Sequence, residues 1–311
     1  MIGQSLRHVL AKKIYEVGRG SLLTLLGLAM VIAAVIFLGI RPRRLLSCSS
    51  LRPGAELIIV GNGPSASSSL CQLQERLPRL DLMVVNFFCL TPMWKKLKPS
   101  YSVLIDNHLF LNNSSVGPLS QKVQALISTY AEVDWCHTLY IPHRFQDSAL
   151  ARHLSLNPRV TIKHLNLLSV PTMPSRFLVR LFEWQLAMPV AESVSVAAIY
   201  AGLDTGCGRI FLIGMEHSWL AGLRVDEDNG ISVDLPHFYG GSAETGEKGP
   251  LHKFLYSQGR LFEAHASLAA FANYCSVEIF NTCPESYIDA YDKQSFVAHD
   301  ALASARPNRH P

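Results

Sequence analysis

Residues 56–65 read ELIIVGNGPS. The first half is a short apolar run rich in β-branched residues. It ends in a Gly/Pro turn. SASSSLCQLQERL (65–77) follows, with apolar residues at helical spacing. A strand, a glycine turn and a helix in that order predict one unit of an α/β layer. The pattern then repeats down the chain. LDLMVVNFF (80–88) and YSVLID (101–106) are the next strand candidates, VQALISTY (123–130) suits a helix, and TLYIP (138–142) and RVTIKHL (159–165) suit strands. RFLVRLFEWQLAM (176–188) and SVSVAAIYAGL (193–203) read as helices, and GRIFLIGME (208–216) is the most apolar strand. A long helical region covers 250–275, with a break expected near Gly259, before a last strand in SVEIFNTCP (276–284). Strands alternating with helices predict a Rossmann-like α/β fold, with a mainly parallel sheet and flanking helices.

The chain has 311 residues, of which 49% are hydrophobic and 17% charged. Mean hydropathy is +0.18. Soluble domains average roughly a quarter charged residues, and much of the apolar excess lies in residues 21–40, SLLTLLGLAMVIAAVIFLGI. These twenty uncharged residues match the length a helix needs to cross a bilayer core. They exceed a signal-peptide core of about 7–15 residues. The expected layout is a basic N-terminal segment (1–20), a transmembrane anchor (21–40), a linker (41–54), a catalytic domain (55–295) and a flexible tail (296–311). Arg41, Arg43 and Arg44 after the anchor suit anionic headgroups. Four basic residues on each side leave orientation open under the positive-inside rule. The net charge of +4 is too small to suggest nucleic acid as a partner. Seven cysteines without a CxxC argue against a zinc ribbon or a disulfide framework.

The turn Gly61-Asn62-Gly63-Pro64-Ser65 sits where the first strand hands over to a helix. Glycines let a ligand approach the backbone, and the helix N-terminus offers N–H groups and a positive dipole end to phosphate. Ser65 is the expected cap. The motif is neither a Walker loop nor GxGxxG, and a plain tight turn is its alternative reading. Asn86 and Asn107 follow later strands, where the carboxyl ends of an open sheet converge on one crevice. Their amides suit a base, a ribose or a sugar; the alternative is a local Asx turn. Glu216 and His217 stand at the end of the most apolar strand and could bind a hydroxyl or orient another group. His237, in PHFYGG (236–241), is the natural general base for a hydroxyl nucleophile, and the stretch around it suits a mobile lid. His252 is the competing candidate. Asp226-Glu227-Asp228 could hold a divalent ion on a diphosphate or simply face water. The sequons in Asn112-Asn113-Ser114-Ser115 imply glycosylation only in a secretory compartment.

Taken in order, ELIIVGNGPS, VVNFF, LIDNHLF, SVSVAAIYAGL with GRIFLIGMEHSW, and VEIFNTCPES resemble the bacterial family-42 sialyltransferases. They also resemble a wider group of glycosyltransferase-like proteins, itself similar to archaeal 6-hydroxymethylpterin diphosphokinases. The resemblance covers about residues 55–290, and the GNGPS turn is its most specific element. It implies a glycosyltransferase-A-like variant of the fold. It would give Asn62, Gly63, Ser65, Asn86 and Asn107 the task of holding a CMP-sugar, place Ser193 near the phosphate, supply a histidine base, and need no metal. Glu192 stands where that family has an arginine. The leading expectation is therefore a single-pass membrane glycosyltransferase. It would use a nucleotide-sugar donor, CMP-sialic acid or a related CMP-sugar, on a glycan or lipid-linked acceptor. Gly61, Pro64 and Glu216 would complete the donor site, with the domain facing the cytosol if the donor is cytosolic. The alternatives are a diphosphokinase-like enzyme using ATP, Mg²⁺ and a pterin-type alcohol, and a non-catalytic nucleotide-binding module.

Overall fold

A computed structural model describes residues 25–37, 39–46, 51–72, 80–111, 118–170, 176–236, 242–247 and 250–294. Its centre is β1 (Arg52–Val60). The chain then lays down β2 (Asp81–Val85), β3 (Tyr101–Val103), β4 (His137–Pro142) and β5 (Val160–Leu165) in sequence to one side of β1. It crosses back to place β6 (Cys207–Ile213) against the other side of β1, followed outward by β10 (Glu278–Asn281) and β11 (Asp292–Lys293). Every pairing in this eight-stranded sheet is parallel. The strand order therefore reverses between β1 and β6, the position where open α/β sheets leave a crevice beyond the strand carboxyl ends.

Alternation along β1 explains the layers. Leu57 and Ile59 face a core built with α7 (Arg176–Glu183), α8 (Val194–Leu203) and α9 (Leu251–Tyr274). Ile58 and Val60 face the opposite core, built with α2 (Ser65–Gln72), α5 (Pro118–Ala131) and α6 (Ala149–Leu154). Both faces are covered, which is why these strands read as unbroken apolar runs rather than alternating ones. In α8 every residue from Ser195 to Leu203 is buried. The helix lies centrally on its face, and Gly202 lets it approach Leu57 and Ile59 closely.

Two features differ from the sequence expectation, and a third finding bears on it. No break occurs at Gly259: α9 is one helix of 24 residues. The polar stretch after β6 forms a separate antiparallel sheet of β7 (Arg224–Val225), β8 (Ile231–Pro236) and β9 (Ser242–Glu247). Ile231 and Val233, two residues apart, bury against Phe254 and seat this sheet. The third concerns the N-terminal segment. Of residues 21–40, the described part is a helix over 25–37, here called α1. Among the described residues no helix is long and apolar enough to cross a membrane. Gly27, Val31 and Ala34 of α1 are buried on one side, with Val31 in the core shared with β1. Leu25, Leu26, Ile32, Ile36 and Phe37 are exposed. The segment after α1 is tied down as well. Ile40 and Leu45 are buried, and the Leu45 N–H donates to the Glu183 carbonyl. Arg43 and Arg44, their side chains half-exposed, pair with the fully buried Asp204 (2.8 Å) and Glu183 (2.6 Å), so these two charges are engaged with the protein's own carboxylates. The expected basic segment 1–20 and tail 296–311 lie outside the described residues, as do the sequons at Asn112–Ser115.

Candidate functional site

The site begins where β1 and β6 end side by side. The Gly61 N–H donates to the Ile213 carbonyl (2.8 Å) and the Gly63 N–H to the Gly214 carbonyl (2.9 Å), carrying the β1–β6 ladder past the strands. A Cβ on Gly61 would lie 2.2 Å from the Gly214 carbonyl oxygen, and Gly214 itself has φ +62°. These are glycines because two backbones touch and one of them turns left-handed.

Glu216 reaches across this junction. Its Oε1 accepts the Ser65 N–H at 2.8 Å, and its other oxygen fills the space a Gly63 side chain would need. The positive end of α2 is thus matched by the protein's own carboxylate. The phosphate expected at this helix N-terminus would meet that negative charge. Ser65 is not the cap either. It is the first residue of α2, and its hydroxyl pairs with Cys283 Sγ at 3.3 Å. The loop after β10 clamps the same segment, with Ser286 Oγ donating to the Met215 carbonyl (2.7 Å) and the Tyr287 N–H to the Glu216 carbonyl (2.7 Å).

Beyond the strand ends lies a cavity of about 320 Å³. Gly61, Asn62, Gly63, Pro64, Asn86, Ser193 and Glu216 all border it, together with Ser195, His217 and Trp219. Asn86, which follows β2, and His217, four residues beyond the end of β6, both have φ +47°. Left-handed backbone costs a non-glycine residue on the order of 1 kcal/mol and clusters at functional sites. Among the described residues, five buried side-chain polar atoms have no hydrogen-bond partner. Three of them, Asn62 Oδ1, Asn86 Oδ1 and His217 Nδ1, belong to residues of this cavity. Buried polar groups are almost always satisfied, so three orphans around one void make it the candidate site.

No family model and no curated protein matches this chain. A distant structural similarity exists to a bacterial protein, the MAf glycosyltransferase of Magnetospirillum magneticum AMB-1: TM-score 0.46 and 16% identity. The match takes in 82% of this chain and 35% of that one, so this chain spans about a third of its length. The chemistry of the site has to come from its own residues.

α8 points its first turn at the cavity. Ser193 is its N-cap, accepting the Ser195 N–H at 3.3 Å, and Ser193, Val194 and Ser195 all border the void. This second helix N-terminus is not capped by a carboxylate. Behind it runs a buried polar chain. Ser195 Oγ lies 2.9 Å from His217 Nε2 and 3.3 Å from His265 Nε2, and His265 Nδ1 lies 3.2 Å from Tyr291 Oη. Burial pushes His217 down to about 4. Burial, then the neighbouring His217, pushes His265 well below its ordinary value. Both imidazoles are neutral at pH 7.

Not every expected residue arrives here. Asn107 starts α4 (Asn107–Leu111), outside the cavity lining, and its Oδ1 accepts from Arg144. His252 is exposed in the first turn of α9 and does not border the cavity. His237 lies outside the described residues, in the connection between β8 and β9. The acidic run 226–228 is exposed in the turn between β7 and β8, where Asp226 Oδ1 accepts the Gly230 N–H (2.6 Å). Sequence reading missed Ser195, His265, Tyr291, Cys283 and Ser286. The signal for His265 was a polar residue on a mainly apolar helical face, which also buries Gln258.

Proposed function

We propose that this chain is a glycosyltransferase that takes a sugar from a nucleotide-sugar donor held in the cavity at the β1–β6 junction. The observation that carries the reading is the set of polar groups around the cavity, two of them unpaired Asn carbonyls. Two buried Asn carbonyls and the Glu216 carboxylate are acceptors, matching the hydroxyls of a ribose or sugar. The N-terminus of α8, which has no carboxylate in its first turn, and the neighbouring imidazole suit phosphate oxygens. A nucleotide sugar carries both kinds of group in one molecule. The motif order that resembles the sialyltransferases supports sugar as the transferred group, and a CMP-sugar as the first donor to try. In the transfer step the acceptor hydroxyl oxygen bonds to the anomeric carbon. The bond from that carbon to phosphate breaks, and the nucleotide leaves with the electron pair. His237 is the proposed base for the hydroxyl proton.

Thermal unfolding with CMP, UDP, GDP and ATP tests the binding, because a ligand of the native state raises Tm by mass action. Turnover of CMP- and UDP-sugars tests the chemistry. One nucleotide is expected to stabilise the protein, and its sugar form to be consumed when an acceptor is added. No shift with any of the four overturns the reading, and a shift with ATP alone points to phosphoryl transfer instead. Glu216→Gln separates the two ends of the ligand. If Glu216 holds hydroxyls, affinity falls about fivefold, since bonds to a charged acceptor exceed neutral ones by about 1 kcal/mol. Tighter binding would instead place phosphate at the 61–65 turn.

Membrane attachment through residues 21–40 is the companion proposal, motivated by the exposed apolar side of α1. Flotation of the full chain with vesicles of mixed neutral and anionic lipid should carry it upward. A chain that stays at the bottom of the gradient excludes it.

A further inference from the structure

The chain of hydrogen bonds behind the cavity has a direction. Tyr291 is buried, and among the described residues its hydroxyl has one partner, His265 Nδ1. A buried hydroxyl left without an acceptor for its proton costs about 1–3 kcal/mol. The Tyr291 O–H therefore donates to His265 Nδ1. His265 is neutral, so its single ring proton sits on Nε2 and is donated to Ser195 Oγ. The Ser195 hydroxyl, already accepting, turns its own proton to His217 Nε2. His217 then carries its ring proton on Nδ1, the one atom in the series without a partner. Trp219 stands edge-on to the His217 ring at 4.7 Å and limits its rotation.

We propose that His217 is a ligand-binding residue that offers a neutral Nδ1–H donor to an oxygen of the bound nucleotide, and that Tyr291, His265 and Ser195 are positioning residues that fix this tautomer. The proposal rests on the reading of the cavity as a nucleotide site and adds a specificity to it. The recognised atom is an acceptor, a phosphoryl or carbonyl oxygen, next to the start of α8. His217 so arranged does not serve as the base, because its unpaired nitrogen already holds a proton. The residue also complements Asn62 and Asn86, whose unpaired oxygens require donors. Together the three discriminate for a ligand with hydroxyls on one side and an acceptor on the other.

Long-range ¹⁵N–¹H correlation spectra of ¹⁵N-histidine-labelled full-length protein at pH 7 test it, with the His217 signal assigned by its loss in His217→Asn. The expected result is the Nδ1–H tautomer. An Nε2–H tautomer, or an imidazolium, overturns the proposal. In Tyr291→Phe the ring stays but the terminal donor goes, so the His217 signal should shift toward the other tautomer. Nucleotide affinity should fall about tenfold, the loss of roughly one hydrogen bond. An unchanged tautomer with unchanged affinity would show the series to be structural only. The amide variants separate the two ring nitrogens. Asn places its nitrogen near the Nδ1 position and tolerates the left-handed backbone, so His217→Asn should bind the best of CMP, UDP, GDP and ATP within about threefold of wild type. His217→Gln, with its amide near the Nε2 position, should lose about tenfold or more. The opposite ranking overturns the assignment. If none of the four nucleotides binds wild type, the nucleotide reading and the ligand half of this proposal fall together, while the tautomer is still decided by the wild-type spectrum.

Discussion

Gly61→Ala is expected to lower the unfolding free energy by about 3 kcal/mol, the upper part of the range for overpacking a tight interior, and to erase nucleotide binding. The added methyl would stand 2.2 Å from the Gly214 carbonyl oxygen. That atom is backbone and cannot swing aside. Separating the two segments means breaking the Gly61–Ile213 and Gly63–Gly214 hydrogen bonds, and with them the rim of the cavity. Gly63→Ala makes an instructive contrast. Its methyl would meet Glu216 Oε2, the far end of a side chain, and would lie 2.8 Å from the Gly214 carbonyl oxygen, a milder backbone clash than the 2.2 Å at Gly61. The fold should survive, with the carboxylate displaced from the Ser65 N–H. Gly259→Ala is the control. Nothing lies within 4 Å of its Cβ position, and an alanine inside a helix gains about 0.5–1 kcal/mol over glycine. Urea unfolding of the three variants reads the order directly. A Gly61→Ala protein with the midpoint of wild type would show that the β1–β6 junction is not the constraint proposed here.

The parallel sheet was legible because it is buried on both faces. LIIV in β1 and IFLI in β6 are apolar at consecutive positions, a pattern that surface strands do not show. The antiparallel sheet of β7, β8 and β9 was not legible, since SAETGE has no apolar period and owes its strand form to pairing with β8. The site divides along similar lines. Residues 61–64, 86, 193 and 216 follow strand ends or open a helix, so their position in the chain already places them at the crevice. Asn107 fails by the same logic. It follows β3, two strands away from β1, and the crevice opens where the order reverses, not at every strand end. Ser195, His265 and Tyr291 lie in or beside apolar stretches. Ser195 and His265 are 70 positions apart, and no local pattern reports that they touch.

Stability should fall as the pH drops from about 6.5 to about 4, before most carboxylates titrate. Three histidines are buried and neutral in the folded chain. Burial pushes His137 and His217 each down to about 4, and pushes His265 further down. In the unfolded chain each returns to about 6.5. Between those values the unfolded state binds more protons than the folded one, so the unfolding free energy rises with pH across this window. The contribution is complete above about 6.5 and is lost as the pH falls toward the folded values. For a shift of that size the loss approaches roughly 3 kcal/mol per histidine. Glu183 acts later. Its burial alone would raise it, but hydrogen bonds from Arg180, Arg44 and Tyr274 outweigh that and hold it below the ordinary carboxylate range. Its contribution is present above about 4.3 and disappears only below that. His137 isolates the effect, because it lies away from the cavity. Its Nδ1–H donates to the Pro99 carbonyl (2.7 Å), and its Nε2 accepts from Ser102 Oγ (2.7 Å). His137→Asn keeps an amide donor near the Nδ1 position and removes the titrating ring. Urea unfolding at half-unit steps from pH 4 to 8 should then show a shallower slope for the variant below pH 6.5, with the curves parallel above it. Equal slopes throughout would mean that His137 titrates over the same pH range folded and unfolded, and that burial and its bonds to Pro99 and Ser102 do not hold it neutral.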